Sequence, residues 1–575
     1  MESTVFRGLS LFANALGVVS ALVIARGILW LVNLFLVAPR SDPLRNLPGP
    51  DAPAFTSHFD EVNDPDITPV VFHDWATNLF GKTFRYHGYG KHDYRLMSFD
   101  LRVLSHVLNS PIYEKPWQTR SYIGRLLGQG VFNMEGAEHK RLRKLIGPAF
   151  TAQAVKGMTP IFVQKAEELR DRWDALISAN ASNAFNSNEL HAPASKTLDV
   201  QHWVSRTTFD IFGLAGLDYH FNALQDESEA VYSAYRRMFS ISDKASKWRV
   251  LKQLYLPVLE KICPDEDDKV TQRCRETIRQ SGIDLIQSKR GISMAEKLDF
   301  SSEEKDILSL LIKSNLSNEP SNRLSDSELL DQLSSFLFAG SDSTALTISW
   351  CLHLLSLYPE VQKRLRAEIM SDPASTTSKR DNTSSGSSTS SVMQADTIET
   401  LPFLDAVVRE TLRVIPPVHG TVRVATADDL IPVSHPVVLR NGKIIREQEH
   451  IRIHKGSFVH IPLEGINLSE DIWGSDARQF NPNRWSALPA TAKPPSFPGL
   501  ANVMSFSFGP HSCPGFRFAL SEIKLILATL LPQFVFSPVE GLAIGKYNSV
   551  VVKPFVREMG SGTIQLPLNV TRYAD

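Results

Sequence analysis

Cys513 stands in the run Phe506-Ser507-Phe508-Gly509-Pro510-His511-Ser512-Cys513-Pro514-Gly515, a single thiol in a loop shaped by glycine and proline. The stretch that follows, 516–531, repeats Leu520, Ile523, Leu527 and Leu530 at helical spacing, so the thiol precedes a helix N-terminus. Free N–H groups and the positive dipole end favour a thiolate there. Gly509 and Gly515 let the backbone approach a flat macrocycle or take positive φ, while Pro510 and Pro514 stiffen the loop. The chemistry this suits is an axial thiolate on a heme iron, which pushes electron density toward a bound dioxygen and favours O–O cleavage. A lone cysteine is more often a small buried hydrophobe than a ligand, so the weight falls on its flanking residues and on three further motifs.

The elements that must position this loop are legible too. Ser325-Asp326-Ser327-Glu328 is a capping box, and Leu329, Leu330, Leu333, Phe336 and Leu337 follow on one face of the helix it opens. That helix meets Ala339-Gly340-Ser341-Asp342-Ser343-Thr344, where a glycine and four polar side chains interrupt an apolar run. Glycine weakens a helix, and the hydroxyls can bond backbone carbonyls. A local break is expected here, and such breaks mark functional sites, although a small polar patch alone is usually a packing contact. Glu410 and Arg413, three apart in a helix starting near Pro402, share a face among Leu404, Val407, Val408 and Leu412. That setting predicts burial; an exposed pair would be worth little. His139 and Arg143 lie four apart on one helical face of 136–150, and Arg423 falls in the strand-like run Thr421–Ala425.

At these residues the chain resembles the cytochrome P450 family, the heme-thiolate monooxygenases. The family signature Phe-x-x-Gly-x-Arg-x-Cys-x-Gly is matched from Phe506 to Gly515, with His511 in place of Arg. The oxygen-activation sequence puts its acid on Asp342, its usual Thr on Ser343 and the following hydroxyl on Thr344. Glu-x-x-Arg falls on Glu410 and Arg413 and is completed by Arg484 in Phe480-Asn481-Pro482-Asn483-Arg484-Trp485. The resemblance makes these three charges a buried structural network, because buried charges persist only when paired. Trp-x-x-x-Arg falls on His139 and Arg143, with His replacing Trp.

The resemblance implies a mainly α fold with small β-sheets, the cytochrome P450 fold, in a single large domain over 53–575 that binds heme b (iron protoporphyrin IX). Cys513 would be the axial ligand, Phe506 would flank it, and the propionates would rest on His139, Arg143, His511 and Arg423. Asp342, Ser343 and Thr344 would serve proton delivery while one oxygen atom of O2 enters a lipophilic small molecule. No Gly-x-Gly-x-x-Gly follows a strand-like run, so an internal nicotinamide or flavin site is unsupported. The family then implies an NADPH-dependent cytochrome P450 reductase docking on the cysteine side. Two rival readings are a heme-thiolate isomerase or dehydratase working on peroxides and a non-catalytic heme- or sterol-binding membrane protein. A fungal secondary-metabolism substrate, terpenoid in type, is suggested by analogy alone. Its selection would depend on Phe338, Ala339, the run Val418 to Thr421 and the loop from Tyr113 to Phe132.

The 575 residues carry 61 basic and 62 acidic side chains, a net charge of −1, with no long like-charged run. Nucleic acid is therefore not an expected partner. Four scattered cysteines, Cys263, Cys274, Cys351 and Cys513, make neither a disulfide scaffold nor a zinc site. Residues 1–38 are apolar enough for one membrane span, broken by Arg26. Arg26, Arg40 and Arg45 against Arg7 put the bulk of the chain on the cytosolic side, as for a single-pass protein of the endoplasmic reticulum; a cleaved signal peptide is the competing reading. Residues 39–52, with Pro39, Pro43, Pro48 and Pro50, read as a stiff hinge. Residues 371–391, rich in Ser and Thr, read as a disordered loop.

Overall fold

The computed structural model describes residues 17–575 except 19, 23, 30, 31, 33–36, 52–56, 185–194, 256–261, 296–305, 318–322, 372–396, 561, 562 and 575. The expected anchor over 1–38 lies largely outside the described residues, and so does the 371–391 loop apart from Ser371. Among the described residues no helix is long and apolar enough to cross a membrane. The described chain divides into two compact units, one of residues 1–113 and 422–461, the other of 114–421 and 462–575.

The first unit is built on a five-stranded sheet in the order Thr83–His87, Tyr94–Ser98, Phe458–Ile461, Thr421–Ala425, Tyr113–Glu114. The first two strands form an antiparallel hairpin with Thr83 opposite Ser98, and Phe458–Ile461 runs parallel to the second. Every residue of Thr83–His87 is buried, which explains its aromatic content rather than a strict alternation. The proline-rich run packs within this unit. Leu44 and Leu47 are buried, Arg85 N donates to Pro48 O at 2.8 Å and Arg440 N to Asn46 O at 2.8 Å. Gly49 has φ +150°, and a Cβ there would lie 2.0 Å from Arg85 O, so no side chain fits.

The second unit is helical. Its main helices are α1 (Trp117–Leu127), α2 (Gly136–Ile146), α3 (Ala152–Ala184), α4 (Val200–Leu217), α5 (Ala230–Asp243), α6 (Glu266–Ala295), α7 (Asp326–Leu357), α8 (Pro359–Ser371), α9 (Pro402–Val414) and α10 (Phe516–Leu530). Helix α2 stops earlier than its amphipathic pattern suggests because Gly147-Pro148 turns the chain into a 3-10 segment. A three-stranded sheet, in the order Phe534–Pro538, Pro567–Arg572, Ser195–Asp199, and a hairpin of Ile544–Asn548 with Val552–Val556 complete the unit. Ser549–Val551 form the bend of that hairpin, although their β-branched composition continues into the strand at Val552.

Helix α7 organises this unit. Its capping box forms as expected, with Ser325 Oγ accepting from Glu328 N and the Glu328 carboxylate accepting from Ser325 N. The expected break at Ala339–Thr344 does not occur, and the helix is continuous from Asp326 to Leu357. Packing outweighs propensity here. A Cβ on Gly340 would lie 2.3 Å from the Phe212 ring of α4, so the glycine permits close approach of two helices. Around them Phe162, Trp173, Phe209, Leu346, Leu352 and Leu527 are all fully or almost fully buried, and this core fixes α10, the helix after Cys513, against α3 and α7.

Candidate heme-thiolate site

The loop before α10 is pinned by its own backbone. Cys513 N donates to Phe506 O at 2.9 Å and Ser512 N to Gly509 O at 3.0 Å. Gly509 adopts φ +75°, the conformation its type permits, and Ser507 adopts φ 55° without being glycine. Gly515, at φ −90°, needs no glycine for its backbone, and a Cβ there would meet Phe150 at an ordinary 3.6 Å. Of the two reasons for glycine in this loop, positive φ therefore holds for Gly509 only. Phe506 is buried beneath the loop, its ring 6.1 Å from that of Phe516.

Cys513 is half-buried. Burial pushes its thiol up to about 11, against the pull of the Gly515 N–H and the Arg143 guanidinium. The helix end thus does less for the anion than its position suggests, because desolvation outweighs it. A cation bound directly at sulfur reverses that balance, as a coordinating thiol is deprotonated outright. Among the described residues no three His, Cys, Asp or Glu side chains are placed to hold a metal ion together. A metal at Cys513 would take its other ligands from outside the chain, as it does in a porphyrin.

The cationic residues expected around the loop meet there. Arg143 Nη1 donates to Ser512 O at 2.6 Å and Nη2 lies 3.5 Å from Ser512 Oγ, so α2 braces the residue before the thiol. His139 is buried with its ring stacked on His511, centroids 3.9 Å apart at 26°. His511 Nε2 is 3.0 Å from Glu135 Oε2. Lys115 Nζ donates to Glu135 Oε1 at 3.0 Å and lies 3.2 Å from His511 Nδ1. Burial, then the neighbouring His511 and Lys115, hold His139 down at about 4. Burial would raise Glu135, but His511 and Lys115 together bring it to about 2. Lys115 and Glu135 were not found from sequence, since neither has a spacing that singles it out. This concentration of donors suits the carboxylates of a heme edge. Arg423 is buried on Thr421–Ala425 in the first unit, where Nη1 donates to Val422 O at 3.0 Å.

On α7, Ser343 Oγ donates to Ala339 O at 2.7 Å and Ser341 Oγ to Leu337 O at 2.5 Å, the back-bonding that hydroxyls in a helix favour. Asp342 is buried and points toward α5. Burial raises its carboxyl above the ordinary range, and Lys553 and Arg236 only partly offset this. Thr344 is buried beside Glu522 of α10. Glu522 is fully buried, with no hydrogen-bond partner within geometric range among the described residues; burial raises it well above the usual carboxylate range, and the Thr344 hydroxyl beside it only partly offsets this. Glu522 is the lone acid in the apolar helix Phe516–Leu530, a signal carried by the sequence that belongs to none of the spaced motifs.

Phe338 stacks on Phe239 of α5, centroids 4.8 Å apart at 8°. A largely apolar cavity of about 230 Å3 lies along α5, α6 and α7, with Leu127, Met238, Leu285, Leu333 and Leu337 in its walls.

Glu410, Arg413 and Arg484 meet in the core. Arg413 Nε and Nη2 donate to the two Glu410 oxygens at 2.8 Å each, and Arg484 Nε to Glu410 Oε1 at 2.9 Å. Asn481 N and Trp485 Nε1 donate to the same carboxylate at 2.8 and 3.0 Å. Arg413 also reaches Asn467 O at 2.8 Å and the carbonyl of Ala477, and Arg484 reaches Asp476 Oδ1 at 2.8 Å. Glu410 and Arg413 are wholly buried, and every charge has partners, as burial demands.

The family described as Cytochrome P450 matches residues 48–554 of the chain. Cytochrome P450 monooxygenase 205 of Postia placenta is 34% identical over 571 residues, 96% of this chain and 97% of that protein. Cytochrome P450 monooxygenase claP of Ampulloclitocybe clavipes is 31% identical, over 90% of each chain. A ganoderic acid synthetase of Ganoderma lucidum is 31% identical, over 91% of this chain and 93% of its own.

Proposed function

This chain belongs to the cytochrome P450 family and is a heme-dependent monooxygenase, and we propose that its substrate is a terpenoid-like lipophilic compound of fungal secondary metabolism and that an NADPH-dependent cytochrome P450 reductase supplies its electrons. The apolar cavity beside α7 supports a lipophilic ligand. The named activity of the Ganoderma lucidum relative supports the substrate class. A membrane anchor in residues 1–38 with the catalytic portion in the cytosol, at the endoplasmic reticulum, belongs to the same proposal and rests on the apolar run and the arginine bias.

When bound, the heme supplies the redox centre at which O2 is reduced, one oxygen atom going to the substrate and the other to water. The observation that carries the site assignment is the Cys513 loop, closed by its bond to Phe506 O and braced through Ser512 by Arg143. Cys513 Sγ would hold the metal, and Arg143, His511 and His139 would face the propionates, with Arg423 assigned the same role. The stacked imidazoles of His139 and His511 stand where the family has a Trp and an Arg. Lys115 and Glu135 fix the orientation of His511. Asp342, raised by burial, retains its proton more readily than an exposed carboxyl. Ser343 Oγ offers a hydroxyl one residue on and must rotate away from Ala339 O to donate elsewhere. Thr344, turned toward Glu522, is positioned to serve a second acid.

The test is turnover by a membrane preparation of the full chain with the reductase and NADPH, against terpenoid, steroid and aromatic libraries under isotopically labelled O2. The expected product carries one labelled oxygen atom and requires NADPH. A rearranged product formed without NADPH would favour the peroxide isomerase, and tight ligand binding without NADPH consumption would favour a binding protein.

A further inference from the structure

A second cavity, of about 410 Å3, opens between α4, α5 and the strand Val552–Val556. Four cations, Arg206, Arg236, Arg237 and Lys553, line it with one carboxylate, Asp243. Two of the cations are already engaged. Lys553 Nζ donates to Asp243 Oδ2 at 2.6 Å, and Asp243 also accepts from Ser549 Oγ. Arg206 is buried and spends its donors on Ala223 O at 2.8 Å, Glu227 O at 3.2 Å and His202 Nε2 at 3.3 Å. The Glu227 carboxylate lies 3.1 Å from the same His202 Nε2.

Arg236, half-buried, and Arg237, exposed, make no hydrogen bond or ion pair among the described residues. Both guanidiniums keep access to water, and two adjacent forked cations without a carboxylate partner favour a counter-anion between them. Ser233, Arg236, Arg237 and Ser240 all line the cavity and fall at i, i+3, i+4 and i+7 of α5, along one helical face. That row offers two forked cations flanked by hydroxyls. A phosphate, with up to two negative charges and three acceptor oxygens, uses such a row more fully than a single carboxylate can.

We propose that this cavity is a binding site for a phosphate-bearing anion, held by Arg236 and Arg237 with Ser233 and Ser240 completing its shell. The site is separate from the Cys513 loop. It reaches the catalytic residues through Arg236, whose charge also acts on buried Asp342, so an occupant would draw on the same guanidinium.

The heme-loaded full chain is titrated by calorimetry with inorganic pyrophosphate, and separately with phosphatidylcholine vesicles with and without phosphatidic acid. Saturable pyrophosphate binding that weakens about tenfold or more in Arg237→Gln, and further in Arg236→Gln/Arg237→Gln, is expected. Arg237 is exposed, so its variant tests the site without disturbing the core. Ser233→Ala/Ser240→Ala should weaken binding by a smaller factor. Should only the vesicles show arginine-dependent binding, and only with phosphatidic acid, the phosphate is that of a lipid and the site stands. Absence of both interactions, or binding indifferent to the double arginine variant, would overturn the proposal.

Discussion

Ser343 keeps the hydroxyl of the family's usual threonine but lacks its methyl, and its Oγ rests on Ala339 O. Removing that donor in Ser343→Ala should leave heme and substrate binding intact while diverting oxygen to hydrogen peroxide. A typical general-acid contribution of about a hundredfold sets the scale of the lost product per NADPH consumed. Coupling measured as product against NADPH checks this, with Ser343→Thr retaining most activity. Collapse in Thr344→Ala with Ser343→Ala unchanged would move the role to Thr344, which Glu522 makes a real competitor. Glu522 carries a prediction of its own. Its folded-state carboxyl is raised by burial, so the folded chain binds the proton more tightly than the unfolded one. That contribution to stability is complete below the ordinary glutamate range and is lost as pH rises through the folded value. Glu522→Gln, which cannot ionise, should therefore gain melting temperature relative to the parent as pH increases from about 5 to 8; a difference constant with pH would contradict a buried neutral acid. Cys513, Asp342, Arg143 and His511 were legible as residues because each sits in a spaced motif. Lys115, Glu135 and Glu522 were not, because their partners are set by tertiary contact and not by neighbours in sequence.

At the scale of elements, helix α7 shows why local propensity misled. Gly340 lowers helix propensity, yet it lets α7 lie against Phe212 of α4, and that packing holds the helix straight through the polar patch. Gly340→Val should drive side-chain atoms into that ring and cost about 1 to 3 kcal/mol of stability, read from denaturant midpoints. Phe212→Leu should restore part of the loss by making room, and no recovery would place the strain elsewhere. Helix α9 carries the complementary case. Its Glu410 carboxylate receives both arginines and two further donors, so Glu410→Ala strands buried guanidiniums at a cost of about 3 to 5 kcal/mol. The expected outcome is a chain that fails to retain heme, checked by heme content after purification. A stable, heme-loaded Glu410→Ala protein would show that the network is dispensable. The capping box of α7 and the faces of α9 were predictable from a few residues each. The early end of α2 and the hairpin bend at Ser549–Val551 were set by Pro148 and by strand pairing, signals the periodicity did not capture.

Across the whole molecule, the mainly helical class and the small sheets followed from hydrophobic periodicity and the family resemblance, whereas the division into two units did not. The first unit returns to itself through 422–461 after some three hundred intervening residues, and only strand pairing reveals that return. Within the first unit, the proline-rich run buries Leu44 and Leu47 and lays Gly49 against Arg85. A chain beginning at Pro43 should leave the membrane fraction at least in part and keep its heme spectrum, whereas one beginning at Asp51 should melt lower because it exposes what Leu44 and Leu47 cover. Equal melting temperatures for the two would mean that this packing contributes nothing. The most direct measurement is the carbon monoxide spectrum of the reduced, heme-loaded full chain and of Cys513→Ala, with heme content and melting temperature followed in parallel. The parent should give the thiolate-type spectrum and Cys513→Ala should lose it, whether by losing heme or by holding heme without the thiolate. A thiolate-type spectrum persisting in Cys513→Ala would contradict the assignment of Cys513 as the iron ligand.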